Sequence, residues 1–173
     1  MACSITMTGI AAECKDSIGG IKAAYIAEHA DLTFPLTETS NVITAITMAS
    51  GKTFKPFVFR KETGNFTSTI NSDDAAGTTF VQSEIVLQFT KQETAKRLEI
   101  AALMVGNCAV IIEDGNGKFW FFGQDFPVVL TAGSAASGTA MGDFNGYNIT
   151  LTDKSKALPK EVDSDIIAGL LPA

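Results

Sequence analysis

A chain of 173 residues is long enough to bury a sizeable core within one compact domain. Its 46% apolar and 18% charged residues exclude the disordered and fibrous classes. A formal net charge of −6 argues against a protein that grips nucleic acid by its phosphates, which takes clustered Lys and Arg, and suits a surface that must not stick to passing DNA.

No apolar run approaches the roughly 20 residues of a membrane span. The opening stretch MACSITMTGIAAECKDS lacks the basic start and long apolar run of a signal peptide. The chain is therefore expected to be soluble, made in the cytosol and without a membrane partner.

Taken in chain order, residues 19–32 (GGIKAAYIAEHADL) follow a glycine pair, mix apolar with polar positions and read as a strand. Residues 42–48 (VITAITM) read as a second, closed by a turn at Ser50-Gly51. In residues 53–62 (TFKPFVFRKE), Phe57 and Phe59 share a face opposite Val58 and Arg60. Pro56 has no amide to donate to a ladder, which places that strand at an edge or a bulge. Residues 65–70 (NFTSTI) alternate Phe66, Ser68 and Ile70 with Thr67 and Thr69 after a Thr63-Gly64 turn, a half-buried strand. A polar, turn-rich loop is expected over residues 71–79 (NSDDAAGTT). Residues 80–89 (FVQSEIVLQF) then set Ile85, Leu87 and Phe89 against Glu84 and Gln88, the period of a strand.

One helix is expected over about residues 91–106. Thr90 with Glu93 three residues later has the form of a capping box, which satisfies two free backbone donors at a helix N-terminus. Leu98, Ala101, Ala102 and Val105 recur at the helical spacing, an alanine-rich stripe that predicts close packing on a sheet, with Lys96 and Glu99 outward. Glu93 and Arg97 stand one turn apart on the exposed side. Gly106-Asn107 ends the helix.

Residues 108–126 (CAVIIEDGNGKFWFFGQDF) set Gly115-Asn116-Gly117 between two β-branched and aromatic runs. Such a glycine pair either cradles a phosphate or turns the chain. A cradle needs a helix to follow at once, its N-terminus aimed at the anion. Here the strand FWFF follows, so a hairpin turn is predicted. A calcium loop fails too, because Lys118 stands where a further oxygen ligand is wanted.

Residues 127–132 (PVVLTA) and 147–152 (YNITLT) read as strands around a stretch of small residues, 133–146. In the latter, Tyr147, Ile149 and Leu151 alternate with polar partners. The tail, residues 154–173, changes character. Its polar first half and Pro159 predict an extended C-terminal arm and not another central strand. Ile166, Ile167, Leu170 and Leu171 are expected to be buried, on a neighbouring subunit in preference to their own domain.

Catalytic, cofactor and metal chemistry finds no support: there is no GxSxG, Walker or HExxH motif. His29 is the single histidine, flanked by Glu28 and Asp31, and reads as structural. Asp73-Asp74 reads as a solvated loop tip. Trp120 with Phe119, Phe121 and Phe122 could stack bases, but without basic residues around them burial is expected. Cys3, Cys14 and Cys108 form neither a CxxC pair nor an even disulfide set, and with one histidine they match no zinc site. They are expected to be reduced and mostly buried. The expectation is a protein that is not an enzyme and holds no cofactor or metal.

About eight strands and one helix predict a mainly β fold, a β-sandwich or rolled barrel with the helix packed alongside. AVII and FWFF are apolar on both faces and must be covered on both. With one helix available, cover from neighbouring copies is expected, and little in the strands blunts a sheet edge. That pattern favours an assembly subunit.

The order of elements is a β-sandwich, a single helix entered through TKQETAKRLE, and then the hairpin AVIIEDGNGKFWFFG. It resembles the major tail tube proteins of long-tailed bacteriophages. The stretch from that hairpin through TAGSAASGTAMGDFNGYNITLT also resembles small structural proteins encoded in tail gene regions. The resemblance implies a tube-type β-sandwich domain over residues 1–153, with residues 154–173 as a C-terminal arm outside it. It implies a virion subunit, assembled in the host cytoplasm, whose six-fold rings stack into a hollow tail tube. Other tail proteins would be its partners, and DNA would pass down the lumen without specific binding. No functional residue carries over. Another virion part (a tail terminator, a connector ring or a capsid decoration protein) is the alternative within that class, and a small-ligand-binding β-barrel the alternative outside it.

Overall fold

The computed structural model describes residues 9–12 and 14–172. In chain order the elements are β1 Ile21–Glu28, a 3₁₀ turn His29–Asp31, β2 Thr37–Thr39, β3 Val42–Ala45, β4 Lys55–Val58, β5 Gly64–Asp73 and β6 Thr78–Thr90. There follow α1 Thr94–Val105, β7 Cys108–Asp114, β8 Phe119–Phe122, β9 Val129–Ala136, β10 Gly146–Ser155, β11 Lys160–Val162 and α2 Ser164–Leu170. Seven strands form one sheet in the order β2-β3-β11-β8-β7-β1-β4, and four form a second in the order β5-β6-β10-β9.

Strand alternation sets the two sheets face to face. Ile85, Leu87 and Phe89 of β6 and Ile149 and Leu151 of β10 share one core with Ala24, Ile26, Val110, Ile112 and Phe122 of the large sheet. This is the mainly β sandwich with a packed helix that the sequence predicts. Eleven strands are present among the described residues, more than the expected eight or so. β2 and β11 have three residues each, too few for a period of two to show. β4, which carries Pro56, is the last strand of its sheet and pairs with β1 alone, as its proline requires.

The far face of the large sheet corrects the sequence reading. Ala27, Ala109, Ile111 and Phe121 on that face are covered from within the chain, by Leu32, Leu36 and Phe54 and by Ile167 and Leu170 of α2. AVII and FWFF therefore need no neighbouring copy. Nor do the described residues of the expected arm, 154–172, extend away from the domain: β10 runs through Ser155, and β11 lies inside the large sheet between β3 and β8. Polar contacts lock it there. Lys118 Nζ reaches Glu161 Oε1 at 2.5 Å, and Lys160 Nζ holds both oxygens of Glu38 at 2.7 and 2.6 Å. Phe54 N donates to Leu170 O, and α2 is capped by Asp163, whose carboxylate accepts from Asp165 N. Two of the charges that made this stretch look like a solvated arm, Lys160 and Glu161, are ion-paired to the body.

α1 lies within the expected residues 91–106, but its start and its buried face differ. Thr90 still belongs to β6, opposite Gly146, and does not cap the helix. Glu93 is the N-cap, and its side chain makes no capping bond; it pairs with Lys91 at 2.5 Å and Lys96 at 3.4 Å. Leu103 is buried and Ile100 packs on the core, whereas Leu98, Met104 and Val105 are 57, 66 and 89% exposed. Ala101 is also exposed. Lys96, expected outward, folds its ammonium back onto Thr90 O at 2.7 Å. From Leu98 to Val105 the helix is apolar almost all round, with Glu99 as its one charge, so helical periodicity does not select a face.

Leu103→Ala should cost about 2 to 5 kcal/mol of stability, while Ala101→Asp should change it by no more than about 0.5 kcal/mol. Urea unfolding reads both, and the reverse order would turn the helix over. On the far face, Ile167→Ala should cost about 2 to 5 kcal/mol, and deletion of residues 160–173 should abolish folding. A truncated chain with the wild-type melting temperature would show that the tail is no part of the core.

Candidate assembly surfaces

The small sheet is covered on one side only. Its outer side chains alternate into solvent as Thr67 and Thr69 on β5, Gln82, Val86 and Gln88 on β6, Asn148 and Thr150 on β10, and Ala132 and Ser134 on β9. Short of Asp73 at the hairpin end, Glu84 and Lys154 are the charged side chains of this face. Thr131 and Thr152 share a hydroxyl bond at 2.7 Å. The face is mostly polar, with Val86 and Ala132 flanking Thr150 at its middle, and close to neutral.

Both edge strands of this sheet, β5 and β9, lack a second neighbour among the described residues. They present rows of backbone N–H and C=O groups over 10 and 8 residues, and neither carries the proline or lysine that blunts an edge.

β5 and β6 run on beyond the sheet. β10 ends at Ser155 opposite Val81, so residues 71–80 pair only with each other. The expected loop over residues 71–79 is this ribbon: pairing continues to Asp73 opposite Thr78, leaving residues 74–77 to turn. Asp73 Oδ1 organises the turn by accepting from Ala75 N and Ala76 N at 2.9 and 3.1 Å. Ile70 and Phe80 are 60 and 39% exposed.

At the other end of the hairpin, α1 has open grooves on both of its flanks. The one towards β4 has a volume of about 470 Å³ and is lined by Pro56, Phe57, Val58, Phe89 and Ile100, with Lys55, Lys96 and Glu99. The one towards β9 and β10 has about 380 Å³, with Ile100, Met104, Leu130 and Tyr147 in its lining.

Gly115-Asn116-Gly117 turns the chain, and its amides are occupied by the protein itself. Gly115 N donates to Gly20 O, Gly117 N to Asp114 O, and Asn116 N and Lys118 N to Asp114 Oδ1. None remains for a phosphate. Gly117 takes φ +79°, where a side chain would be strained. Asn116 clasps the incoming chain: Ile18 N donates to its Oδ1 at 2.8 Å, and its Nδ2 donates to Ile18 O at 3.1 Å. Burial alone would raise Asp114, but the Lys118 amide, the Trp120 indole and Asn116 hold it below the usual carboxylate range. Trp120 is half-buried against the inter-sheet core and donates Nε1 to Asp114 Oδ2 at 3.1 Å.

The remaining candidates take structural places. His29 Nε2 lies 3.0 Å from Gly123 O, and its ring stacks on Phe34 at 4.7 Å. Asp31 pairs with Lys52 at 3.1 Å and not with His29. Cys108 is buried, which pushes its thiol pKa up, whereas Cys14 is exposed, against expectation. Cys3 lies outside the described residues. Among the described residues no group of three or more His, Cys, Asp or Glu could hold a metal, and no helix is long and apolar enough to cross a membrane. No family model, curated protein or solved structure matches the chain.

One buried carboxylate is unusual. Asp153, near the end of β10, is 2% exposed, and its Oδ1 has no hydrogen-bond partner among the described residues. Burial pushes its pKa up to about 6; the Ser155 hydroxyl and Gly123 amide oppose that rise and the Asp125 carboxylate adds to it. The unfolded value is near 3.9, so between the two the folded chain holds the extra proton. The stability owed to protonated Asp153 is whole below about pH 4 and is lost as pH rises through about 6. Asp153→Asn should therefore stabilise the protein by about 1 to 3 kcal/mol at pH 8 and far less at pH 4. Equal gains at both pH values in urea unfolding would show that Asp153 ionises normally.

Proposed function

We propose that this chain is a self-assembling virion structural protein, the subunit of a phage tail tube built from stacked six-fold rings around a DNA-conducting lumen. The observation that carries the reading is the small sheet, with two unpaired edges and one mostly polar, nearly neutral open face. Its strands alternate in direction, so β5 and β9 run opposite ways. β9 of one copy set beside β5 of the next would pair antiparallel with every copy in the same orientation. That is the condition for a ring closed by rotation, in which the small sheets continue into one another.

The open face would then line the lumen. Thr, Gln, Asn and Ser side chains offer water-like contacts, and without clustered Lys or Arg there is nothing to hold a phosphate backbone. DNA would slide past without specific binding. The net charge of −6 adds mild repulsion. The support has moved from where the sequence placed it. Two-faced apolar strands do not require neighbours, because α2 and residues 32–54 cover them; the sheet edges carry the argument instead. On this reading the protein belongs to the virion, is assembled in the host cytoplasm and contacts other tail proteins.

Purified protein should form rings, or tubes at high concentration, visible by electron microscopy and light scattering. Ser134→Lys sets a charge on the β9 edge and should give a monomer whose stability stays within about 0.5 kcal/mol of wild type. A wild-type protein that remains monomeric at high concentration would sink the reading.

A further inference from the structure

We propose that the free end of the β5–β6 ribbon docks on a second copy of this chain, in the groove between α1 and β4. The inference rests on the assembly reading above and assigns the contact between one ring and the next.

The ribbon end has reason to seek a partner. A two-stranded ribbon with no third strand is marginal in water, yet residues 71–80 form one. Phe80 on the ribbon and Ile70 at its base, on opposite faces, are both exposed. The groove offers complementary cover, with Pro56, Phe57 and Ile100 in its lining and Val58 74% exposed beside them.

Charge selects the pairing. At the ribbon tip Asp73 and Asp74 have no cationic partner among the described residues. Around the groove, residues 55–62 and 91–99 carry six basic and three acidic side chains. Glu62 and Glu93 are already paired with Lys61, Lys91 and Lys96. Lys55 on the groove wall and Arg60 beyond it have no ion pair among the described residues. Glu99 on the groove wall is offset by Arg97 two residues before it, so an acidic tip faces a socket with a net excess of basic side chains.

Length excludes the chain's own socket. The two surfaces lie at opposite ends of β6, whose 13 residues span roughly 40 Å at strand spacing. A tip held that far away meets the groove of a copy displaced along the strands. Such a contact joins two different surfaces and repeats without closing, which makes a stack and not a ring.

The double variant Asp73→Asn/Asp74→Lys, which keeps the Oδ1 acceptor of the turn, should keep the wild-type melting temperature and still form rings, but lose tubes. Adding Lys55→Glu/Arg60→Glu should restore tubes. Phe80→Ser should raise the concentration needed for tubes by about tenfold or more, as expected for a large apolar side chain that leaves water on docking. Sedimentation and electron microscopy at low salt read each outcome. Unaffected tubes in the double variant would overturn the docking, and so would loss of rings together with tubes, which would make the hairpin a lateral contact. Wild-type rings that never stack would overturn the docking alone, whereas a wild type without rings would remove the assembly reading beneath it.

Discussion

The β7–β8 hairpin has no side that tolerates water, and covering both of its sides governs the rest of the fold. Val110, Ile112 and Phe122 face one way and Ala109, Ile111 and Phe121 the other, none more than 2% exposed. The small sheet closes the first side. The second is closed by two pieces far apart in sequence, residues 32–54 and α2. Each large apolar side chain covered in this way contributes about 1.5 to 3 kcal/mol, so the end of the chain is as much a part of the core as its middle. The turn between the two strands is correspondingly rigid: Asp114 binds two turn amides and the Trp120 indole and so sets the register in which β8 returns.

That constraint explains which parts of the fold the sequence made legible. The long strands were readable because each has one wet face: Ile85, Leu87 and Phe89 alternate with Glu84 and Gln88 along β6, with Val86 the one apolar residue between them on the wet side. The turn at Asn116 was readable because its residue types leave few conformations open. The tail was misread because a three-residue strand has no period and because Lys160 and Glu161 are charged. In the fold their charges meet Glu38 and Lys118, contacts 122 and 43 residues away in sequence. The helix was found and its face lost, since Leu98, Ile100, Ala101, Leu103, Met104 and Val105 point in every direction. Thr90 looked like a cap because nothing local reveals that β6 continues to it. The candidate assembly surfaces were half legible. The acidic stretch at residues 71–79 stood out as polar, but its pairing into a ribbon depends on cross-strand partners that composition does not display.

A subunit whose core closes on itself is free to put its unsatisfied groups elsewhere. Here they fall on the two edges of the small sheet, the ribbon end and the exposed flank of α1. Single exposed apolar residues are ordinary on any surface. Leu98, Met104 and Val105 are three on one short helix, spread around its open sides, and Val58 is exposed in the groove beside it. None of these groups is needed to hold the sandwich together. Folding and the proposed assembly therefore draw on separate sets of residues, so a chain with a damaged edge should remain folded.

The same separation limits how strong any one contact in the proposed tube can be. β9 is built of Val129, Leu130, Thr131 and a run of Ala, Gly and Ser, so its edge offers a partner mostly backbone and little side-chain area. Net contributions of about 0.5 to 1.5 kcal/mol per hydrogen bond along 8 residues are offset by the loss of rotational and translational freedom on binding, about 4 to 15 kcal/mol. A single edge-to-edge pair is therefore weak. A copy that enters a ring gains two edges at once, and one that enters a stack adds a ribbon and a socket while its orientation is already fixed. Each later contact is then effectively intramolecular, and affinity multiplies without any single strong interface. Weak, polar edges are the right chemistry for such a subunit: they leave a dispersed copy folded and unpaired at low concentration, and they make the assembled state depend on all contacts closing together.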